Sequence, residues 1–263
     1  MKLKWLFLCL ALTACVSSQP VPDVSSESDV LEGYNRPVTT FNYKMNEYVL
    51  HPFTEYYNEY VPQKVRKSIG NFADNLSQPS TFVNAVLQGE PAVAAQTLGR
   101  FITNTTLGLG GLFDVATEGW GAYTSLVSDK VETKPFNMPH PRRDFGQTLY
   151  TWGVKHSGPY FVLPVLGPST VRDAVGMGVD IALDPVNWLL IKGDNTLVAG
   201  RYVIRGISVA TDGSKVLDMA ESDSLADPYT KLKSWYVDNR KKQLGWVDPE
   251  PDMGDDEEEE DDE

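Results

Sequence analysis

The sequence predicts a mainly α-helical fold. Apolar residues recur at three- and four-residue intervals along most of the chain, strand-like alternation is scarce, and Pro and Gly punctuate the periodic stretches at short intervals. The first element is not part of that fold. Lys2 and Lys4, an apolar run from Trp5 to Leu12 and the ending Leu12-Thr13-Ala14-Cys15 have the layout of a secretory signal over residues 1–14, too short to span a membrane as a mature helix. The four residues Leu12–Cys15 resemble a bacterial lipobox. That implies cleavage before Cys15, a diacylglyceryl thioether on its sulfur and a third acyl chain on the new amino group. Residues 15–30, rich in Ser, Pro and Asp, read as a flexible lipid-anchored tether.

Residues 31–246 read as one domain, without a linker-like break or an internal repeat. Phe41, Met45, Tyr48/Val49, Phe53, Tyr56 and Tyr60 recur at helical spacing, as do Val65, Ile69, Phe72 and Leu76, which Pro62 and Pro79 bracket. A short helix is expected over "STFVNAVLQG", ending at Gly89. The next starts at Pro91, whose missing N–H is harmless in a first turn. Thr170, three residues before Asp173, has the spacing of a capping box for a helix that stops before Pro185. The stretches 196–220 and 227–243 are helix-like, and "YVIRGISV" (202–209) is ambiguous. Residues 247–263 read as a disordered acidic tail.

Composition narrows the function. Of the net charge of −13, −9 sits in Asp255–Glu263, which leaves −4 for the rest and no basic face for nucleic acid. The two cysteines are Cys9, lost with the signal, and Cys15, so no disulfide is expected in the mature chain. The 12 tyrosines and Trp120, Trp152, Trp188, Trp235 and Trp246 suit either a packed core or a membrane interface, where one end of a ring is wet.

The glycines at 108, 110, 111, 119 and 121 do not make a nucleotide loop. The G-x-G-x-x-G pattern lacks its last glycine, a helix rather than a strand precedes it, and no G-K-[ST] follows. No G-x-S-x-G elbow, H-E-x-x-H or EF-hand spacing is present, so no catalytic or metal-binding residue is assigned. His51, His140 and His156 read as surface or packed residues. Arg142, Arg143, Asp144, Arg172 and Asp173 read as structural ion pairs and caps.

Long stretches of the chain together resemble one family. "EGYNRPVTTFNYKMN" (32–46), "VPQKVRKSIGNFADNLSQPSTFVNAVLQGEP" (61–91), "RFITNTTLGLGGLFDVA" (100–116) and "RRDFGQTLYTWGVKHSGPYFVLPVLGPSTVRD" (142–173), with "DP" at 184–185 and "DPY" at 227–229, are similar to the MlaA/VacJ family of phospholipid-transport lipoproteins. The resemblance implies a ring of short amphipathic helices lying in one membrane leaflet around a polar channel. It implies anchoring to the outer membrane on the periplasmic side. It also implies removal of phospholipid misplaced in the outer leaflet, with a trimeric porin as neighbour and a soluble periplasmic carrier as recipient. No enzyme activity and no cofactor beyond the lipid on Cys15 are implied. Two other functions stay open at this point, a porin-bracing lipoprotein and a periplasmic lipid esterase.

Within that frame Phe41-Asn42 matches a Phe-Asn pair in the family's first motif helix. The pair either holds the ring at its depth and gates the channel, or is a packed Phe beside a hydrogen-bonded Asn. Gly108, Gly110, Gly111, Gly119 and Gly121 form a candidate channel-side turn, where Gly permits positive φ and close approach. Arg201 is a candidate channel residue for lipid phosphate.

Overall fold

The protein is described by a computed structural model over residues 29–123, 136–187 and 227–245. Cys15, Trp188, Trp246, the stretch 196–220 with Arg201, and the acidic tail lie outside the described residues.

The described chain is mostly helical, as the periodicity predicts. Helix α1 (Glu32–Met45) runs through one π-helical turn (Asn46–Leu50) into α2 (His51–Tyr60). The wide turn has a local cause: Pro52 cannot donate to the turn before it, and the backbone N–H of His51 instead reaches Asn46 O, five residues back. Val61, held extended by the proline after it, separates α2 from α3 (Gln63–Leu87).

One expectation fails in α3. Pro79 does not end a helix. It lies inside a single 25-residue element that absorbs the separate short helix expected after it. Packing along the helix that follows it and against Phe145–Thr151 holds the helix together through the proline. Gly89, at φ 73°, turns the chain into α4 (Pro91–Thr106), which packs along α3.

A loop then leads to the single-turn α5 (Val115–Glu118), capped by Asp114; residues 136–144, without regular secondary structure, precede α6 (Phe145–Thr151), capped by Asp144. An unexpected antiparallel hairpin follows, β1 (Tyr160–Leu163) with β2 (Gly167–Thr170), in register Tyr160↔Thr170 to Leu163↔Gly167. Thr170 caps α7 (Val171–Leu183) by accepting from the Asp173 N–H at 3.3 Å, and α7 stops before Pro185, both as expected. Helix α8 (Pro228–Gln243) returns to the hairpin and to α1. A small apolar core forms there from Tyr160, Val162 and Tyr229, with Val38 and Tyr236 against it.

The amphipathic helices are turned inside out. On α1 and the π turn, Asn35, Thr39, Asn42 and Asn46 are buried at helical spacing, while Phe41, Tyr48 and Val49 are exposed. On α3 the buried stripe is Asn75, Gln78, Thr81 and Asn84; on α4 it includes Thr97, Arg100 and Asn104, with Leu98 and Ile102 outside. The apolar stripe of α1 and α2 therefore faces largely outward, with Phe41, Tyr48, Val49, Phe53, Tyr56 and Tyr60 exposed, while on α3 Val65 is exposed and Ile69, Phe72 and Leu76 are half-buried. Among the described residues, 20 polar side chains are buried against 10 apolar ones, the reverse of a protein folded by burying hydrocarbon from water. No described helix is long and apolar enough to cross a membrane.

Candidate functional site

Carboxamides hold the two segments of greatest interest. The first is the hairpin. Asn35 and Asn42 lie two turns apart on the inner face of α1; Asn35 grips β1 with both ends of its amide, and Asn42 grips the end of β1 and the turn that follows it. Asn35 donates to Tyr160 O at 3.2 Å and accepts from Val162 N–H at 2.9 Å. Asn42 donates to Leu163 O at 3.0 Å and accepts from Val165 N–H at 2.7 Å. A side-chain amide has the donor and acceptor of a peptide group, so the two residues stand in for a missing strand.

The hairpin tip that Asn42 holds is strained. Val165 sits at φ 67°, a left-handed region that a β-branched residue rarely occupies, and Leu166 N–H closes a three-residue turn onto Pro164 O at 2.8 Å. Val165 and Leu166 are both more than 60% exposed, an apolar tip in an unfavourable conformation. The Phe41-Asn42 pair thus divides its work: Phe41 points outward, half exposed, and is not a core residue, while Asn42 is buried and grips the tip.

The second segment is the glycine turn. Gly110, Gly111 and Gly119 have positive φ, as expected of a tight turn. Gly108 and Gly121 do not: Gly121 is helical, and Gly108 is small because a Cβ would strike the carbonyl oxygens of Phe113 and Asn104. The turn is fastened from both sides. Asn75 donates to Gly110 O at 3.2 Å and Thr105 Oγ1 at 2.9 Å, and Asn71 donates to Leu112 O at 3.3 Å. From α4, the buried Arg100 forks onto both oxygens of Asp114 at 3.0 Å and also donates to Thr117 Oγ1 and Met138 O. Burial alone would raise the Asp114 carboxyl. Hydrogen bonds from Thr117 and Asn104 and the Arg100 charge outweigh it and hold the group below the usual carboxylate range.

The ion pairs foreseen around the Gly-Pro loop are present, but their hub was not foreseen. Arg240, near the end of α8, donates to Asp144 Oδ1 and Oδ2 at 2.8 and 2.6 Å and to Asp173 Oδ1 at 2.7 Å. It ties the caps of α6 and the first turn of α7 to the last turn of α8. Tyr236 adds a bond to Asp173 Oδ2 at 2.5 Å. Arg143 pairs with Glu90, Arg172 with Asp173, and Arg142 lies 4.0 Å from Asp74.

The histidines are spread apart in role. His51 lies over Glu55 on α2, His140 meets Gln78 at 2.8 Å, and His156 Nδ1 accepts from Gly158 N–H in its own loop. Among the described residues no group of His, Cys, Asp and Glu has the arrangement of a metal site. The arrangement chemically resembles a set of polar walls and a held flap.

Comparison with known proteins gives one answer. The model of the MlaA lipoprotein family matches residues 27–243. The "Intermembrane phospholipid transport system lipoprotein MlaA" of Haemophilus influenzae is 34% identical over 236 residues, covering 89% of this chain and 86% of that protein. Its namesake in Escherichia coli K12 is 33% identical over 244 residues, covering 90% and 86%. A solved structure described under "Structural basis for maintenance of bacterial outer membrane lipid asymmetry" is similar with TM-score 0.63 and 31% identity, over 83% of this chain and all of that one.

Proposed function

The chain belongs to the MlaA lipoprotein family, and from that premise we propose that it is a phospholipid conduit of the outer membrane. It removes phospholipid misplaced in the outer leaflet and delivers it toward the periplasm, which maintains the lipid asymmetry of that membrane. The observation that carries this reading is the reversed polarity of its helices. In lipid, apolar side chains gain nothing by leaving hydrocarbon, and packing and interhelical hydrogen bonds hold helices together instead. Outward Phe41, Leu98, Ile102, Val175 and Ile181 suit acyl chains, and inward Asn and Thr suit a path for headgroups.

In this reading the helices form a ring sunk in the inner leaflet, anchored through acyl chains on Cys15, with Arg201 near the lipid path. The body abuts a trimeric porin and hands lipid to a soluble periplasmic carrier. The two held segments take different parts. The glycine turn, fastened by Asn71, Asn75 and Arg100, is a fixed wall. The hairpin tip, strained at Val165 and held by Asn42, is the gate. The protein acts as a passage and does no covalent chemistry on the lipid.

The test is the amount of phospholipid exposed on the cell surface when the gene is deleted. A rise that the wild-type gene reverses is the expected result. No rise would leave only a porin-bracing role. A rise reversed by wild type but not by a chain with His51, His140 and His156 all changed to Gln would favour an esterase.

A further inference from the structure

The described residues begin at Asp29, inside the stretch that reads as a lipid-anchored tether. Its side chain is only 7% exposed. A buried carboxylate is costly unless donors surround it, and four do. The Leu31 N–H donates at 3.1 Å, the Asn35 amide at 3.2 Å and Lys233 Nζ at 3.4 Å, and the Tyr229 hydroxyl donates as well. Asn35 belongs to α1, and Tyr229 and Lys233 to α8, so one carboxylate closes the corner where the two helices meet.

Asn35 carries the effect of this carboxylate further. It is fully buried, and its NH2 group faces three oxygens, those of Asp29, the Tyr160 carbonyl and the Tyr229 hydroxyl, at 3.2, 3.2 and 3.3 Å. The carboxylate and the carbonyl can only accept. They force the amide nitrogen to this side and leave Oδ1 on the other, where it takes the Val162 N–H at 2.9 Å. Reversing the amide would set its oxygen against a carboxylate. The charge on Asp29 raises the cost of that reversal, since hydrogen bonds to an ionised acceptor are roughly twice as strong as neutral ones.

We propose that Asp29 is a positioning residue for the hairpin gate. It orients the Asn35 amide, Asn35 fixes β1, and β1 leads into the tip that Asn42 holds. The stretch that follows Cys15 therefore joins the body at the residue that sets the gate strand. The inference rests on the conduit reading, which makes the hairpin a gate; the orientation of Asn35 does not depend on it.

Hydrogen exchange of the Val162 amide, in the full chain in detergent, tests the proposal. Asp29→Ala should speed that exchange about tenfold, what the loss of one hydrogen bond of ordinary strength allows, while the amides of α4 keep their rates. Asn35→Ala should speed it at least as much. Adding Asp29→Ala to Asn35→Ala should change nothing further, because the carboxylate acts through the amide. Unchanged exchange in Asp29→Ala, or effects that multiply in the double variant, overturns the proposal. Asp29→Asn keeps the shape and removes the charge, and it decides the matter if the alanine variants fail to fold. It should speed the same amide, and an unchanged rate would refute the role of the carboxylate. In cells, a chain with Asp29→Asn at wild-type abundance should clear surface phospholipid less well than wild type. Full clearance beside faster Val162 exchange would make Asp29 a purely structural residue and end its part in gating. A gene deletion that raises no surface phospholipid would instead sink the conduit reading, whatever Val162 does.

Discussion

At the scale of single residues, hydrogen-bond capacity matters more than hydrophobicity. Asn42 satisfies the Leu163 carbonyl and the Val165 amide at the hairpin tip, and no other side-chain type offers a donor and an acceptor with that reach. Asn42→Ala should cost about 1–3 kcal/mol through the backbone groups left unpaired. Hydrogen exchange should show the Val165 and Leu166 amides losing protection while α3 and α4 keep theirs. Unchanged exchange at the tip would mean that Asn42 does not hold it. Acid sensitivity is also a residue-scale matter. Burial would raise the Asp144 carboxyl, but hydrogen bonds and charge from Arg240, with help from Gln147, hold it low, and Asp114 is held low in the same way. A carboxyl with a folded pKa below its unfolded value of about 3.9 adds stability above that value and loses it as pH falls through the folded pKa. Melting temperature should therefore be flat in these groups' contribution down to about pH 5 and fall below about pH 4, and Arg240→Met should reduce the acid-dependent part. A chain whose melting temperature holds steady to below pH 3 would refute the assignment.

At the scale of elements, the sequence was informative about helices and poor about what joins them. Thr170 with Asp173, Pro91 and Pro185 mark helix ends through local chemistry that survives folding. Pro79 misled because packing of α3 along α4 and against α6 overrides a missing backbone donor, which local reading cannot see. The hairpin escaped notice because each strand has only four residues, too short for an alternation signal, and β2 contains Pro168. Its one local sign was the three residues Pro164–Leu166, followed by Gly167, between two short runs. Arg240 was missed for another reason: its carboxylate partners are 96 and 67 residues away. The crossing of α6 and α7 depends on small residues, because a Cβ on Gly176 would meet the backbone of Gly146. Gly176→Ala should force the helices apart and cost about 1–3 kcal/mol. Thermal unfolding of the full chain in detergent checks this, and a shift smaller than that of a surface Gly178→Ala control would contradict it.

At the scale of the molecule, helical periodicity was legible but its direction was not. Regular spacing of Phe41, Tyr48, Phe53 and Tyr56 identifies a face without saying whether protein or lipid covers it. The polar stripe Asn35, Thr39, Asn42 and Asn46 has the same period and was equally present in the sequence. It is the more telling of the two, because burying four uncharged polar side chains on one helix face costs free energy unless they meet partners. The role of Cys15 rests on the lipobox and that of Arg201 on the fit of a guanidinium to lipid phosphate, while the parts played by Asn42, Asn75 and Arg100 rest on geometry. The central claim is that the outer surface of this helical body faces acyl chains and the inner surface does not. Site-directed spin labels at Ile102 on α4 and Ile181 on α7, in the full chain reconstituted in bilayers, test it most directly. The account predicts strong relaxation by oxygen, which concentrates in hydrocarbon, and weak relaxation by a water-soluble nickel complex at both sites. Strong relaxation by nickel and weak relaxation by oxygen at those two positions would contradict it.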